Sequence, residues 1–236
     1  MMNTLSKVFA AGFLVSATSL AFAIPTDLAD LQDDSGNKVF DKVNPGDYRD
    51  GGASYAQLTD TDGGNDDATA FLMFEFAGNA GQNAFGIYDM NDFDPNDASS
   101  TNILEIFSGT ESPLSEYTLE FDLSAGTVAI GTEMADIGPY FGFYLERGDT
   151  RFYSDALLNP GGKDLALIYD VAGNQNQGLF GTDLVVAFED LLSGDDDFND
   201  LVVGITDVKA VPEPGTLALL GLGLAGLGLA RRRKQA

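Results

Sequence analysis

Nine short runs rich in aromatic and β-branched residues follow one another along the middle of the chain, and none is long enough to make a stable helix. They are "TAFLMFEF" (69–76), "AFGIYD" (84–89), "ILEIF" (103–107), "YTLEFDL" (117–123), "TVAI" (127–130), "YFGFYL" (140–145), "DLALIYD" (164–170), "DLVVAFED" (183–190) and "LVVGIT" (201–206). Gly, Asn, Asp and Pro punctuate them, as turns between strands require. In "YTLEFDL" the alternation is strict. Tyr117, Leu119, Phe121 and Leu123 take one face, and Thr118, Glu120 and Asp122 the other. No amphipathic helix longer than two turns stands between 24 and 211. The pattern predicts nine to eleven strands in one all-β domain, a jelly-roll-like β-sandwich of short antiparallel strands. The polar stretches 27–67 and 89–102 are the expected long loops. No fixed-period repeat is visible.

Both ends of the chain are set apart from this domain. Residues 1–23 have the parts of a secretory signal peptide: Lys7 as the positive n-region, "VFAAGFLVSATSL" as the apolar h-region, and Ala21-Phe22-Ala23 as a small-x-small cleavage site for signal peptidase. At the other end, Gly215 to Ala230 is an apolar stretch near the lower length limit for spanning a bilayer. Arg231, Arg232, Arg233 and Lys234 follow at once and hold that side in the cytoplasm by the positive-inside rule. An exported chain would stop there as a transient inner-membrane anchor. Gly221, Gly223 and Gly226 fit a dinucleotide-binding spacing, but no strand precedes them and no acidic partner follows.

Pro212-Glu213-Pro214, the short Gly/Leu/Ala span and the basic tail together resemble a PEP-CTERM sorting signal, over 212–236. The resemblance implies recognition by the membrane transpeptidase exosortase, which removes the helix. It also implies a Gram-negative bacterium that makes exopolysaccharide, and a final place at the cell surface or in the extracellular, biofilm-type matrix.

The secreted domain expected over 24–211 carries 7 basic against 36 acidic residues, a net charge of −29. Such a surface repels nucleic acid and strains the folded state unless cations neutralise part of it. The chain has no Cys, His or Trp. Disulfides, the commonest general base, the best thiol nucleophile and the usual zinc ligands are therefore all absent.

The densest group of hard oxygen donors is "FEDLLSGDDDFNDLVVGI" (188–205). Carboxylates this close repel each other unless a cation sits among them, and Ca²⁺ takes Asp and Asn oxygens at alternating positions. Asp195, Asp197 and Asn199 share one side of an extended loop, Asp200 reaches in from the turn, and Glu189 or Asp190 closes the shell from the neighbouring strand. The EF-hand template fails, with Asp200 at position six and Thr206 at position twelve. "DTDGGNDD" (60–67) and "DFDPN" (92–96) fail it too, and are the weaker metal candidates.

The same segment resembles the C-terminal motif of a bacterial family called domain of unknown function 4114. "FGIYD" (85–89) and "FGFYLERGDTRFYSDALLN" (141–159) are similar to further segments of its members. The resemblance implies a secreted, calcium-binding β-rich domain with no established activity. It carries Glu189, Asp190, Asp195, Asp197, Asn199 and Asp200 as the matching positions.

The functional expectation is a non-enzymatic exported protein, calcium-stabilised and sorted by exosortase. The alternative is a carbohydrate-binding module acting on exopolysaccharide, with Tyr48, Tyr55, Tyr88 or Tyr153 as stacking residues if exposed. A glycosidase, which needs two facing carboxylates, ranks below both.

Overall fold

The computed structural model describes residue 28 and residues 42–44, 47–48, 53–63, 65–74, 80–96, 101–171, 181–194 and 197–212. Among them run fifteen strands. They are β1 (Lys42–Asn44), β2 (Asp47–Tyr48), β3 (Ala53–Leu58), β4 (Asp66–Phe74), β5 (Asn83–Asp89), β6 (Ile103–Phe107), β7 (Glu116–Asp122) and β8 (Thr127–Ile130). The rest are β9 (Glu133–Ala135), β10 (Tyr140–Arg147), β11 (Thr150–Tyr153), β12 (Ala166–Asp170), β13 (Leu184–Phe188), β14 (Leu201–Ile205) and β15 (Val208–Pro212). Every pairing is antiparallel.

One sheet has the order β15-β3-β10-β5-β6, with β11 on the second half of β10, and the other has β12-β13-β14-β4-β7-β8-β9. Their inner faces close on one core that includes Leu72, Phe85, Phe121, Phe141, Phe143, Phe188 and Val203. This is the expected antiparallel β-sandwich. The connectivity departs from the jelly-roll expectation. β7-β8-β9 and β12-β13-β14 are meanders that stay within one sheet, whereas a jelly roll is wound from two Greek keys across its two sheets.

Burial follows the sequence patterns. In β7 Leu119 and Phe121 face the core and Thr118, Glu120 and Asp122 face solvent, while Leu123 lies past the strand end and is exposed. "LVVAF" in β13 is buried at every position. Its outer residues Val185 and Ala187 join Leu28, Met73, Leu167, Val202 and Phe198 in a second apolar cluster. The six-stranded sheet has its own outer cluster, Tyr55, Tyr88, Tyr144 and Tyr153. Two glycines make room for it. A Cβ on Gly142 would lie 2.2 Å from the Tyr88 ring, and one on Gly86 would lie 2.6 Å from the Tyr144 ring.

β3 runs through the stretch expected to be loop. "ASYAQL" has weak strand propensity, but β15 and β10 pair with it on both sides, and such pairing overrides propensity. β11 follows β10 through a two-residue turn, with Gly148 at φ +58° as a primed turn with glycine first requires. β15 continues through Pro212, one residue past the expected domain boundary.

Candidate functional site

The acidic hairpin joins β13 to β14 at one end of the seven-stranded sheet. Phe188 pairs with Leu201 at the last rung, so Glu189 and Asp200 leave the sheet side by side. Asp200 Oδ2 accepts from the Asp190 N–H at 2.8 Å and ties the two arms together. Beyond them the chain folds back over Glu189. Its Oε1 accepts from the N–H groups of Asp197 (2.8 Å) and Phe198 (2.9 Å). Phe198 has φ +52°, a left-handed conformation uncommon for a non-glycine residue. Burial of its ring in the second apolar cluster holds it there. Asn199 Nδ2 donates to Asp197 Oδ2 at 2.6 Å, so these two side chains share one side of the loop as the alternation predicts.

Glu189 is 0 % exposed. Its second oxygen, Oε2, is buried and accepts no hydrogen bond. A buried acceptor in that state costs about 1–3 kcal/mol, more if charged. The atom is aimed at Gly194, where a Cβ would lie 1.9 Å from it. The missing side chain of Gly194 is therefore what makes room for Oε2. Burial pushes the Glu189 carboxyl up to about 7, aided by the charges of Asp200 and Asp197 and opposed by the two N–H donors. Glu189 thus presents one desolvated carboxylate oxygen that accepts no hydrogen bond, a hard donor of the kind Ca²⁺ takes.

The predicted ligands do not all behave alike. Glu189 accepts from the Asp197 backbone, Asn199 bonds the Asp197 side chain, and Asp200 bonds the Asp190 backbone, but among the described residues the carboxylates of Glu189, Asp197 and Asp200 do not form a group with their ligand oxygens within 4.8 Å of one another. Asp190, buried, is taken up elsewhere: its Oδ2 accepts from Asn83 Nδ2 at 3.3 Å and faces Arg147 Nε at 3.8 Å. Of the two residues expected to close the shell, Asp190 is engaged by Asn83 and Arg147, while Glu189 keeps an oxygen without a hydrogen bond. Asp195 lies outside the described residues. Sequence reasoning missed Phe198, Asn83 and Arg147. A lone phenylalanine inside an acidic run was the one available signal, because a solvated loop has no use for it.

The weaker candidate at 60–67 also assembles a group. Ligand oxygens of Asp60, Asp62 and Asp66 lie within 4.8 Å of one another. Asp66 also lines a cleft of about 760 Å³ with residues including Glu120, Asp122 and Met134. No buried orphan atom points into that cluster among the described residues. In the 92–96 loop, Asp94 accepts from Asn96 in a local turn.

The tyrosines proposed for sugar stacking are mostly closed off. Tyr55, Tyr88 and Tyr153 are buried against one another, and Tyr55 donates to Asp155 at 2.5 Å. The side chain of Tyr48 lies outside the described residues.

Residues 210–234 match the model of the PEP-CTERM protein-sorting motif. The chain is thus an exported protein, transiently anchored in the membrane and processed by an exosortase. No curated protein and no solved structure matches the chain, and the likeness to the domain of unknown function 4114 has no counterpart among the family matches. Among the described residues no helix is long and apolar enough to cross a membrane. The expected signal peptide (1–23), the Glu213-Pro214 part of the motif, the apolar stretch and the basic tail lie outside them.

Proposed function

We propose that this exported protein is a non-enzymatic component of the cell surface or extracellular matrix of a Gram-negative bacterium, built on a β-sandwich that Ca²⁺ stabilises at the 189–200 hairpin. Glu189 Oε2 carries the calcium reading. It is a buried carboxylate oxygen with no donor, in space left by a glycine. Glu189, Asp197, Asn199 and Asp200 would hold the ion, with Asp195 as a further ligand.

The physics of export supports this reading. The chain has no cysteine, so no disulfide staples the domain. A cation that binds only the folded state stabilises it by mass action and offsets part of the self-repulsion of so acidic a surface. Millimolar extracellular calcium fills even a weak site. The non-enzymatic reading rests on the absence of His and Cys, which leaves carboxylates alone to serve as base or nucleophile.

Calorimetric titration of the full chain with CaCl₂ tests the site. Wild type should take up calcium with a component that Glu189→Gln abolishes. Equal uptake by both proteins would remove Glu189 from any metal site.

A further inference from the structure

The sorting motif begins at residue 210, and the last strand of the sandwich ends at Pro212. The two overlap, so the first three residues of the signal are also part of the fold. β15 pairs with β3 in the register Val208↔Leu58, Lys209↔Gln57, Ala210↔Ala56, Val211↔Tyr55 and Pro212↔Ala53. Both faces of the strand are used. Val208 is 2 % exposed and belongs to the main core, with Ala210 packed against the same core. Val211 packs on the outer tyrosine cluster. The entry to the strand is fixed as well. Asp207 O accepts from Thr59 N–H at 2.7 Å, and Asp207 N–H donates to Asp183 Oδ2 at 2.6 Å. Pro212 sits where proline is tolerated in a sheet: on an edge strand, at its last residue, where the register with β3 shifts.

We infer, resting on the exosortase reading, that β15 stays in the sheet while the signal is processed. The enzyme's substrate is the folded sandwich, and only the chain beyond Pro212 is open to it. Peeling β15 would expose Val208, take Val211 off the tyrosine cluster and leave β3 an open edge paired only with β10, so a cut before Pro212 would injure the domain it releases. Only Glu213 and Pro214 separate the strand from the apolar stretch at Gly215. Two residues span at most about 7 Å, which holds the folded sandwich at the bilayer surface until the cut is made.

A disulfide lock across the register pair Gln57 and Lys209 tests this in the native cell. The chain has no other cysteine, and exported compartments oxidise thiols. The full chain is expressed as wild type, as each single variant, and as Gln57→Cys/Lys209→Cys, and mature C-termini are mapped by peptide mass. The inference expects the oxidised double variant to be processed to the same extent as wild type, with Val208–Pro212 retained in every mature chain. If the oxidised double variant loses its signal peptide but keeps its C-terminus, while wild type and single variants are cut, the enzyme needs β15 peeled and the inference fails. A mature C-terminus before Pro212 in wild type also overturns it. A wild-type chain never shortened at its C-terminus, in a cell that processes other PEP-CTERM proteins, brings down the sorting reading itself and this inference with it.

Discussion

Glu189 Oε2 and the α-carbon of Gly194 face each other so closely that a methyl group on Gly194 would lie 1.9 Å from the oxygen. The pair spans the hairpin, and the carboxylate is fully buried beneath it. Gly194→Ala must therefore displace either the loop or the carboxylate. Overpacking of this kind costs about 1–3 kcal/mol. Denaturant midpoints should fall accordingly, and the stabilisation gained from calcium should shrink in the same variant. An unchanged midpoint would show that the space above Oε2 is not confined.

The titration of Glu189 gives a pH signature. Its carboxyl is raised from 4.5 to about 7 by burial, so the folded state holds the proton more tightly than the unfolded chain. The stability this contributes is fully present below pH 4.5 and is lost as pH rises through 7. The loss amounts to about 3 kcal/mol at most. In chelator, wild type should lose stability relative to Glu189→Gln between pH 5 and pH 8, and calcium should abolish the difference. Parallel stability curves for the two proteins in chelator would contradict the assignment.

The tyrosine cluster makes its own prediction. Gly142 lies under the Tyr88 ring, 2.2 Å from where its Cβ would stand, and Tyr88 is fully buried. Gly142→Ala should destabilise the sandwich by about 2 kcal/mol through this clash. With no tryptophan in the chain, the near-ultraviolet tyrosine dichroism should change with it. A neutral substitution would mean that the ring moves aside freely.

The sequence showed the strands that carry their own pattern. β6 and β8 fall on the predicted residues, and β7 within one residue, because aromatic or alternating runs bounded by turn residues leave few choices. It did not show β3, whose Ala, Ser and Gln are held by neighbours contributed from far along the chain. The acidic hairpin was legible as a concentration of carboxylates, but not the division of labour within it. Nothing local says that Asp190 belongs to Arg147 and Asn83 while the adjacent Glu189 is left with an orphan oxygen. Two neighbouring residues leaving a strand point to opposite faces; β10 and β5 supply what waits for Asp190, and the folded-back hairpin supplies what waits for Glu189. The buried tyrosines failed as sugar platforms for the same reason. Their exposure depends on the segments folded over the sheet, and no short-range pattern records those.

Thermal unfolding of the full chain in millimolar CaCl₂ and in chelator tests the calcium account most directly. At 100-fold excess over the dissociation constant, one site adds about 2.7 kcal/mol, or roughly 5–10 °C for a domain of this size. The account predicts a rise of that order, lost in Glu189→Gln and in Asp197→Ala. Coincident melting curves in calcium and chelator would contradict it, and the hairpin would then be a solvated turn with a strained, buried glutamate.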